Sequence, residues 1–294
     1  MSQTAAIPLS GTLDLPILRG RTTTRTETVL AWTVAAVAAV LLGAAVLFLS
    51  VGGRWFVVET PSMGVAAPVG TLVLDLPVDA ATLRVGDVVS FSTDANPGVV
   101  YTHRIIHVDA DGGLHTRGDI NGATDPWTLT QHDVIGTPAL LVPHLGWLFR
   151  AAPILLVGTL LIWTLTSAFT DRVTRTSLRI AGGALTASYA AFILKPFVNV
   201  TTITNTSSPD GVEATVVSSG IFPVRIEALG GNTVHLVDGQ VGRVVIDELS
   251  GNGYYHLASN IDLDPVGWAA LVAVCLVPLV LCLAVGRVEP VRAS

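Results

Sequence analysis

One serine, one histidine and two aspartates follow one another in an order that could break a peptide or ester bond. Ser62 lies in Thr60-Pro61-Ser62-Met63, His103 in Thr102-His103-Arg104-Ile105, and Asp119 and Asp125 close the stretch that begins at Thr116. A serine hydroxyl attacks a carbonyl once a base takes its proton, and that base works best when a third group orients it. Histidine and lysine are the usual bases. The only lysine is Lys195, far outside the segment that carries Ser62, so a Ser-Lys pair within residues 52–150 is excluded. Histidine is then the natural base. Five histidines share the segment, namely His103, His107, His115, His132 and His144, and residue type alone does not choose among them. His103 and His107, four apart in an expected strand, should share a face. A metal pair there has no further ligand at suitable spacing.

These residues have to be positioned beside a membrane. Of the 294 residues half are apolar and only 13% are charged, where a soluble chain carries about a quarter charged residues. The net charge of −6 argues against nucleic acid as a partner, because a phosphate backbone calls for a basic face. Spans need about 20 apolar residues, and four runs qualify: 29–51, 151–170, 180–195 and 265–286. The third is short and holds Gly182, Gly183 and Ser188, so it depends on neighbouring helices. The first reads as a retained anchor. It is longer than a signal-peptide core, and Arg54-Trp55 follows it in place of a small-residue cleavage site.

Loop charges orient the spans. Arg19, Arg21 and Arg25 precede the first, Arg172, Arg175 and Arg179 separate the second from the third, and Arg287 and Arg292 follow the fourth. Residues 52–150 carry ten acidic and five basic side chains, and residues 196–266 carry eight and two. The positive-inside rule then puts both termini and loop 171–179 in the cytoplasm, and the two long polar segments outside. Four spans satisfy that parity and three do not. Cys275 and Cys282 both lie in the last apolar run and read as small packing residues, with no disulfide framework or zinc site implied.

Residues 1–28 are polar and aperiodic and read as a disordered cytoplasmic tail, and the short end 287–294 reads as a second cytoplasmic tail. Residues 52–150 read as an all-β domain, with strands expected over 55–58, 71–76, 87–91, 99–108, 113–117 and 134–142 and no helix longer than two turns. Asp111-Gly112-Gly113 suits a hairpin turn. Residues 196–264 form a second, small β-rich domain with strands over 198–205, 213–218, 224–227, 234–237 and 241–247, in a sandwich-like arrangement. His235 and His256 in it read as surface or packing residues.

Four motifs together carry a family resemblance. Thr60-Pro61-Ser62-Met63, Leu83-Arg84-Val85-Gly86-Asp87-Val88-Val89-Ser90-Phe91, Thr102-His103-Arg104-Ile105 and Thr116-Arg117-Gly118-Asp119-Ile120-Asn121, followed by Asp125, stand in the order found in type I signal peptidases. They resemble the branch shared by archaea, the endoplasmic reticulum and some Gram-positive bacteria, in which histidine replaces the usual lysine. The resemblance covers roughly residues 30–150. It implies that Ser62 is the nucleophile, His103 the general base and Asp125 the group that orients it. It also implies that Asp119 is a second acidic site residue of less settled role, and that the Thr60 hydroxyl and the Ser62 N–H form the oxyanion hole.

Two features depart from the family. Met63 is followed by Gly64-Val65-Ala66-Ala67-Pro68, where Ser-Met-Glu-Pro is usual, and the second β-rich domain with its spans exceeds the family's minimal form. The expected architecture is a four-span membrane protein with an extracytoplasmic, all-β, signal-peptidase-like catalytic domain and a second small β-rich domain. The expected activity is serine endopeptidase removal of signal peptides, without cofactor or metal. Expected partners are signal-peptide-bearing precursors, the lipid bilayer and the secretion translocon. The alternative is a non-catalytic scaffold or sorting factor for surface proteins.

Overall fold

The computed structural model describes residues 25–208, 211–228, 231–246 and 257–288. Four helices dominate: α1 (Arg25–Ser50), α2 (Leu145–Thr166), α3 (Arg172–Leu194) and α4 (Pro265–Val288). Each is long and apolar enough to cross a membrane, since 22 residues rise about 33 Å against a hydrocarbon core of about 30 Å. α1 forms a unit of its own, exposed along its described length. It already includes Arg25 to Thr28, which the sequence reading placed in the tail; the tail 1–24 and residues 289–294 lie outside the described residues.

Helix boundaries differ from the apolar runs for local reasons. α2 begins at Leu145 rather than 151, inside the segment expected to lack long helices. The Gly146 N–H donates to Gly70 O (2.8 Å), and the Trp147 ring covers Gly70, whose φ of +86° leaves no room for a side chain. α3 begins at Arg172 rather than 180, because the Asp171 carboxylate accepts the Thr174 N–H (2.6 Å) and caps it. Arg172, Arg175 and Arg179 therefore wind into its first turns rather than occupying a loop. The Arg179 guanidinium lies 3.8 Å from the Trp163 ring centre and its Nε donates to Thr166 Oγ1 (3.0 Å). Small residues let α2 and α3 approach closely, with Gly158 against Thr186 and Gly182 against Ile162. The third span is thus a full-length helix of 23 residues.

The first β-region is one antiparallel sheet. Its strands are β1 (Arg54–Val57), β2 (Leu72–Leu76), β3 (Val88–Phe91), β4 (Tyr101–Val108), β5 (Leu114–Arg117) and β6 (Val134–Val142), in the order β1-β2-β6-β3-β4-β5. Val89, Phe91, Ile105, Leu114 and Leu129 are fully buried on one face. A bulge in β4 pairs Ile105 with Thr116 but His107 with His115, leaving Ile106 unmatched. The bulge reverses the side-chain alternation beyond it. His103 is therefore buried while His107 turns to solvent, and the two do not share a face as the sequence spacing implied. His107 and His115 flank Asp109 instead, at 3.3 and 2.9 Å. Asp111-Gly112-Gly113 makes the β4–β5 turn, with Gly112 at φ +90° and the Asp109 N–H donating to Gly113 O.

The second β-region comprises β7 (Val200–Ser208), β8 (Gly211–Ser218), β9 (Val224–Ala228), β10 (Thr233–Leu236), β11 (Val241–Ile246) and β12 (Leu257–Ile261). They form two three-stranded sheets, β11-β8-β7 and β10-β9-β12, which share a core of Val216, Ile226, Val244 and Ile246. β9 shows why: Val224, Ile226 and Ala228 point in, while Arg225 and Glu227 point out and pair at 2.7 Å. β12 was not expected, because Ala258-Ser259-Asn260 has no apolar alternation and becomes a strand through its pairing with β9. His235 is exposed and hydrogen-bonds Asp262 (2.6 Å); His256 lies outside the described residues. The two β-regions, read from sequence as separate domains, belong with α2, α3 and α4 to one compact unit that begins at Val51. Cys275 and Cys282 are free thiols in α4.

Candidate active site

Ser62 is the second residue of a short 3₁₀ segment, Pro61–Ala66, entered from an extended Thr60 with φ −121°. Proline at its first position sets the turn. The Ser62 carbonyl accepts the Ile120 N–H (3.0 Å), which ties the turn to the loop after β5. Gly118 crosses directly beneath it. A Cβ there would lie 2.7 Å from Ser62 O and 2.9 Å from Ser62 Cβ, so the glycine in the Arg117-Gly118-Asp119 motif is required by close approach.

The side chains of Ser62, His103 and Asp125 lie in one hydrogen-bonded row. His103 Nδ1 is 2.7 Å from Asp125 Oδ2 and its Nε2 is 3.1 Å from Ser62 Oγ. A carboxylate only accepts, so Nδ1–H donates to Asp125 and the Nε2 lone pair faces the serine hydroxyl. That is the tautomer a general base needs. The imidazole and the carboxylate are 7% and 8% exposed, so their attraction is weakly screened. Phe91 and Tyr101 flank the imidazole, each with ring centres 6.0 Å away.

Thr116 was quoted in the motif but given no role. Its hydroxyl donates to the same Asp125 Oδ2 (2.6 Å), and its carbonyl accepts the Asp125 N–H (2.9 Å). The signal was available, because Leu114 and Thr116 alternate inward on β5 and a buried threonine needs a partner. Thr60 places its hydroxyl 3.5 Å from Ser62 Oγ. Asp119 does not join the row. Arg104 takes both its oxygens, Nε to Oδ1 (2.8 Å) and Nη2 to Oδ2 (2.7 Å), and anchors to Gly86 O through Nη1 (2.8 Å). This bidentate pair raises the pKa of Arg104, chiefly through the hydrogen bonds it donates to Asp119. Asp119 thereby holds the loop that carries Ile120 against Ser62. His132 and His144, weighed as alternative bases, make no hydrogen bond to Ser62 among the described residues; His144 faces Asp238 at 3.5 Å.

A cleft of about 370 Å³ opens at Ser62 and His103, walled by Phe56, Val58, Thr60, Met63, Val73 and Tyr101. Its lining mixes these apolar side chains with the polar Glu59, Thr60, Thr102 and His103. A wider hollow along α2, between Leu148 and Trp163, holds no group that does chemistry. Among the described residues no group of three or more His, Cys, Asp or Glu side chains is arranged to hold a metal ion.

Asp75 lies in β2, two residues beyond the cleft-lining Val73. It is 1% exposed and neither carboxylate oxygen has a hydrogen-bond partner among the described residues. Burial pushes its pKa up to about 6. A carboxyl that binds its proton more tightly when folded stabilises the fold below its unfolded value near 3.8 and loses that stabilisation as pH rises through 6. The loss is about 3 kcal/mol at neutral pH. Asp75→Asn is therefore expected to raise the melting temperature at pH 7.5 by several degrees and to flatten its dependence between pH 4 and 7. An unchanged pH slope in thermal melts of the variant would contradict this.

No protein-family model matches the chain, and no curated protein sequence matches it.

Proposed function

We propose that the chain is a membrane-bound serine endopeptidase that removes signal peptides from exported precursors at the outer face of the membrane. The observation that carries this reading is the hydrogen-bonded row Ser62–His103–Asp125, whose serine and histidine line a cleft. In the reaction His103 Nε2 takes the Ser62 proton as Oγ attacks the scissile carbonyl. The Ser62 N–H and the Thr60 hydroxyl meet the developing oxyanion. The imidazolium, held by Asp125, then protonates the leaving amine, and water resolves the acyl-enzyme by the same base.

Membrane attachment supports the choice of substrate. Four apolar helices are available as spans, and loop charge puts the two β-regions outside with both termini in the cytoplasm. Trp55 and Phe149 pack at 5.2 Å and Arg150 lies over Trp147 at the start of α2, the composition of a membrane interface. An active site held at that level meets the end of a precursor's apolar segment at high effective concentration. The translocon that delivers the precursor is the implied neighbour.

The test compares the N-termini of exported proteins by mass spectrometry between cells with the wild-type chain and cells with Ser62→Ala. Uncleaved precursors are expected in the variant. With a purified precursor, cleavage should fall at acid pH, since a protonated imidazole accepts no proton. Identical N-termini in the two strains, or an acidic limb as high as about pH 9, where a lysine base titrates, would remove the reading.

A further inference from the structure

We infer that the second β-region is a positioning element for the nucleophile turn, acting through the tight turn at Gly239 that joins β10 to β11. This inference rests on the peptidase reading of Ser62. Gly239 packs backbone against backbone on the residues that follow the nucleophile. A Cβ on Gly239 would lie 2.6 Å from both the carbonyl carbon and oxygen of Gly64 and 2.8 Å from Val65 Cα. The approach is reciprocal. A Cβ on Gly64 would lie 3.2 Å from Gly239 O and 2.6 Å from Ile120 Cγ2. Both glycines have positive φ, +53° and +75°, which side chains other than glycine's adopt at a cost.

The contact leads directly to the reacting atoms. Ile120, which touches Gly64, donates its N–H to Ser62 O, and Ser62 Oγ faces His103. On the other side the turn is stiff: the Gly239 N–H donates to Ser218 O (2.8 Å), the Gln240 N–H to Val237 O (3.0 Å) and the Val237 N–H to Gln240 Oε1 (3.1 Å). Asp238 is nearly buried and faces His144 across the contact at 3.5 Å. Gly64 is also where the motif after Ser62-Met63 departs from the family pattern. The departure and the additional β-region explain each other: a side chain at 64 would displace the turn that now braces the nucleophile. The serine, histidine and aspartate are in line with the turn docked, so docking supports the reactive arrangement and does not block it.

The experiment measures kcat and KM of the full-length protein in detergent on a signal-peptide-bearing precursor, for Gly239→Ala and Gly239→Val. A displaced nucleophile turn is expected to lower kcat about ten- to hundredfold and to change KM by a smaller factor, because most of the cleft walls (Phe56, Val58, Val73 and Tyr101) lie outside the turn. Gly242→Ala is the control, since its Cβ would meet only the Leu236 and Val234 side chains within the second β-region; its kcat should be that of wild type. Wild-type kcat in either folded Gly239 variant overturns the inference, and so does an equal loss in Gly242→Ala.

Hydrogen exchange on the wild-type chain gives a reading that needs neither a variant nor a cleaved substrate. Amides of residues 63–66 and 238–240 are expected to lose protection together as denaturant rises. Release of the 238–240 turn with full protection kept at 63–66 overturns the coupling. If the wild type cleaves no precursor the peptidase reading fails, while the exchange result still decides whether the contact braces the turn.

Discussion

Alanine at Ser62 or at His103 is expected to lower kcat for precursor cleavage by about 10⁶, and alanine at both by no more than either alone. The two side chains meet at 3.1 Å, and in the proposed mechanism they perform one act, transfer of the hydroxyl proton as the C–O bond forms. Without the serine the base has nothing to deprotonate; without the histidine the hydroxyl remains a poor nucleophile. Residual cleavage in every variant should converge on what the oxyanion donors and the cleft supply unaided. Single-turnover kinetics on a purified precursor measure this directly. Losses that multiply in the double variant would mean that the two residues act in separate steps, and the row seen at the cleft would not be the catalytic unit.

Asp125→Asn is expected to lower kcat by about 10⁴ while the protein stays folded. The carboxylate receives His103 Nδ1–H and the Thr116 hydroxyl on one oxygen. An amide in its place has two orientations. With its NH₂ toward the ring it holds the tautomer whose Nε2 carries a proton and cannot accept another; with its carbonyl toward the ring it keeps the tautomer but removes the charge that stabilises the imidazolium. Both orientations slow the reaction. An aspartate that merely shaped the turn before Pro126 would be replaced by asparagine without loss, because both residues suit such turns. Wild-type kcat in Asp125→Asn would therefore reduce Asp125 to a turn residue.

The candidate site residues were named through the family resemblance, since residue type alone left five histidines open, and the structure brings Ser62, His103 and Asp125 together. Ser62 follows a proline that sets its turn, and Asp125 precedes another. What the sequence hid were effects of register and of distant contact. His107 carries the same side chain as His103 at strand spacing, yet one unmatched residue, Ile106, turns it outward. Asp119 reads like Asp125 until Arg104, fifteen positions earlier, claims its carboxylate. The start of α2 was placed by hydropathy, which ignores that Gly70 offers a bare surface to Trp147. β12 carries no pattern of its own and exists because β9 has an edge to pair. Core strands with clean alternation, such as β9, were located within one residue.

The join between β6 and α2 has a mechanical consequence. Only Pro143 and His144 separate the last residue of the strand from the first of the helix, and Gly146 and Trp147 then clasp Gly70, two residues before β2. There is no slack in that joint. Helix and sheet form one stiff lever, whose long arm is a helix long and apolar enough to cross a membrane. A thinner or thicker bilayer tilts such a helix, and here the tilt carries Ser62 with it. On the peptidase reading proposed above, the point at which a precursor is cut should shift with the thickness of the bilayer around the protein.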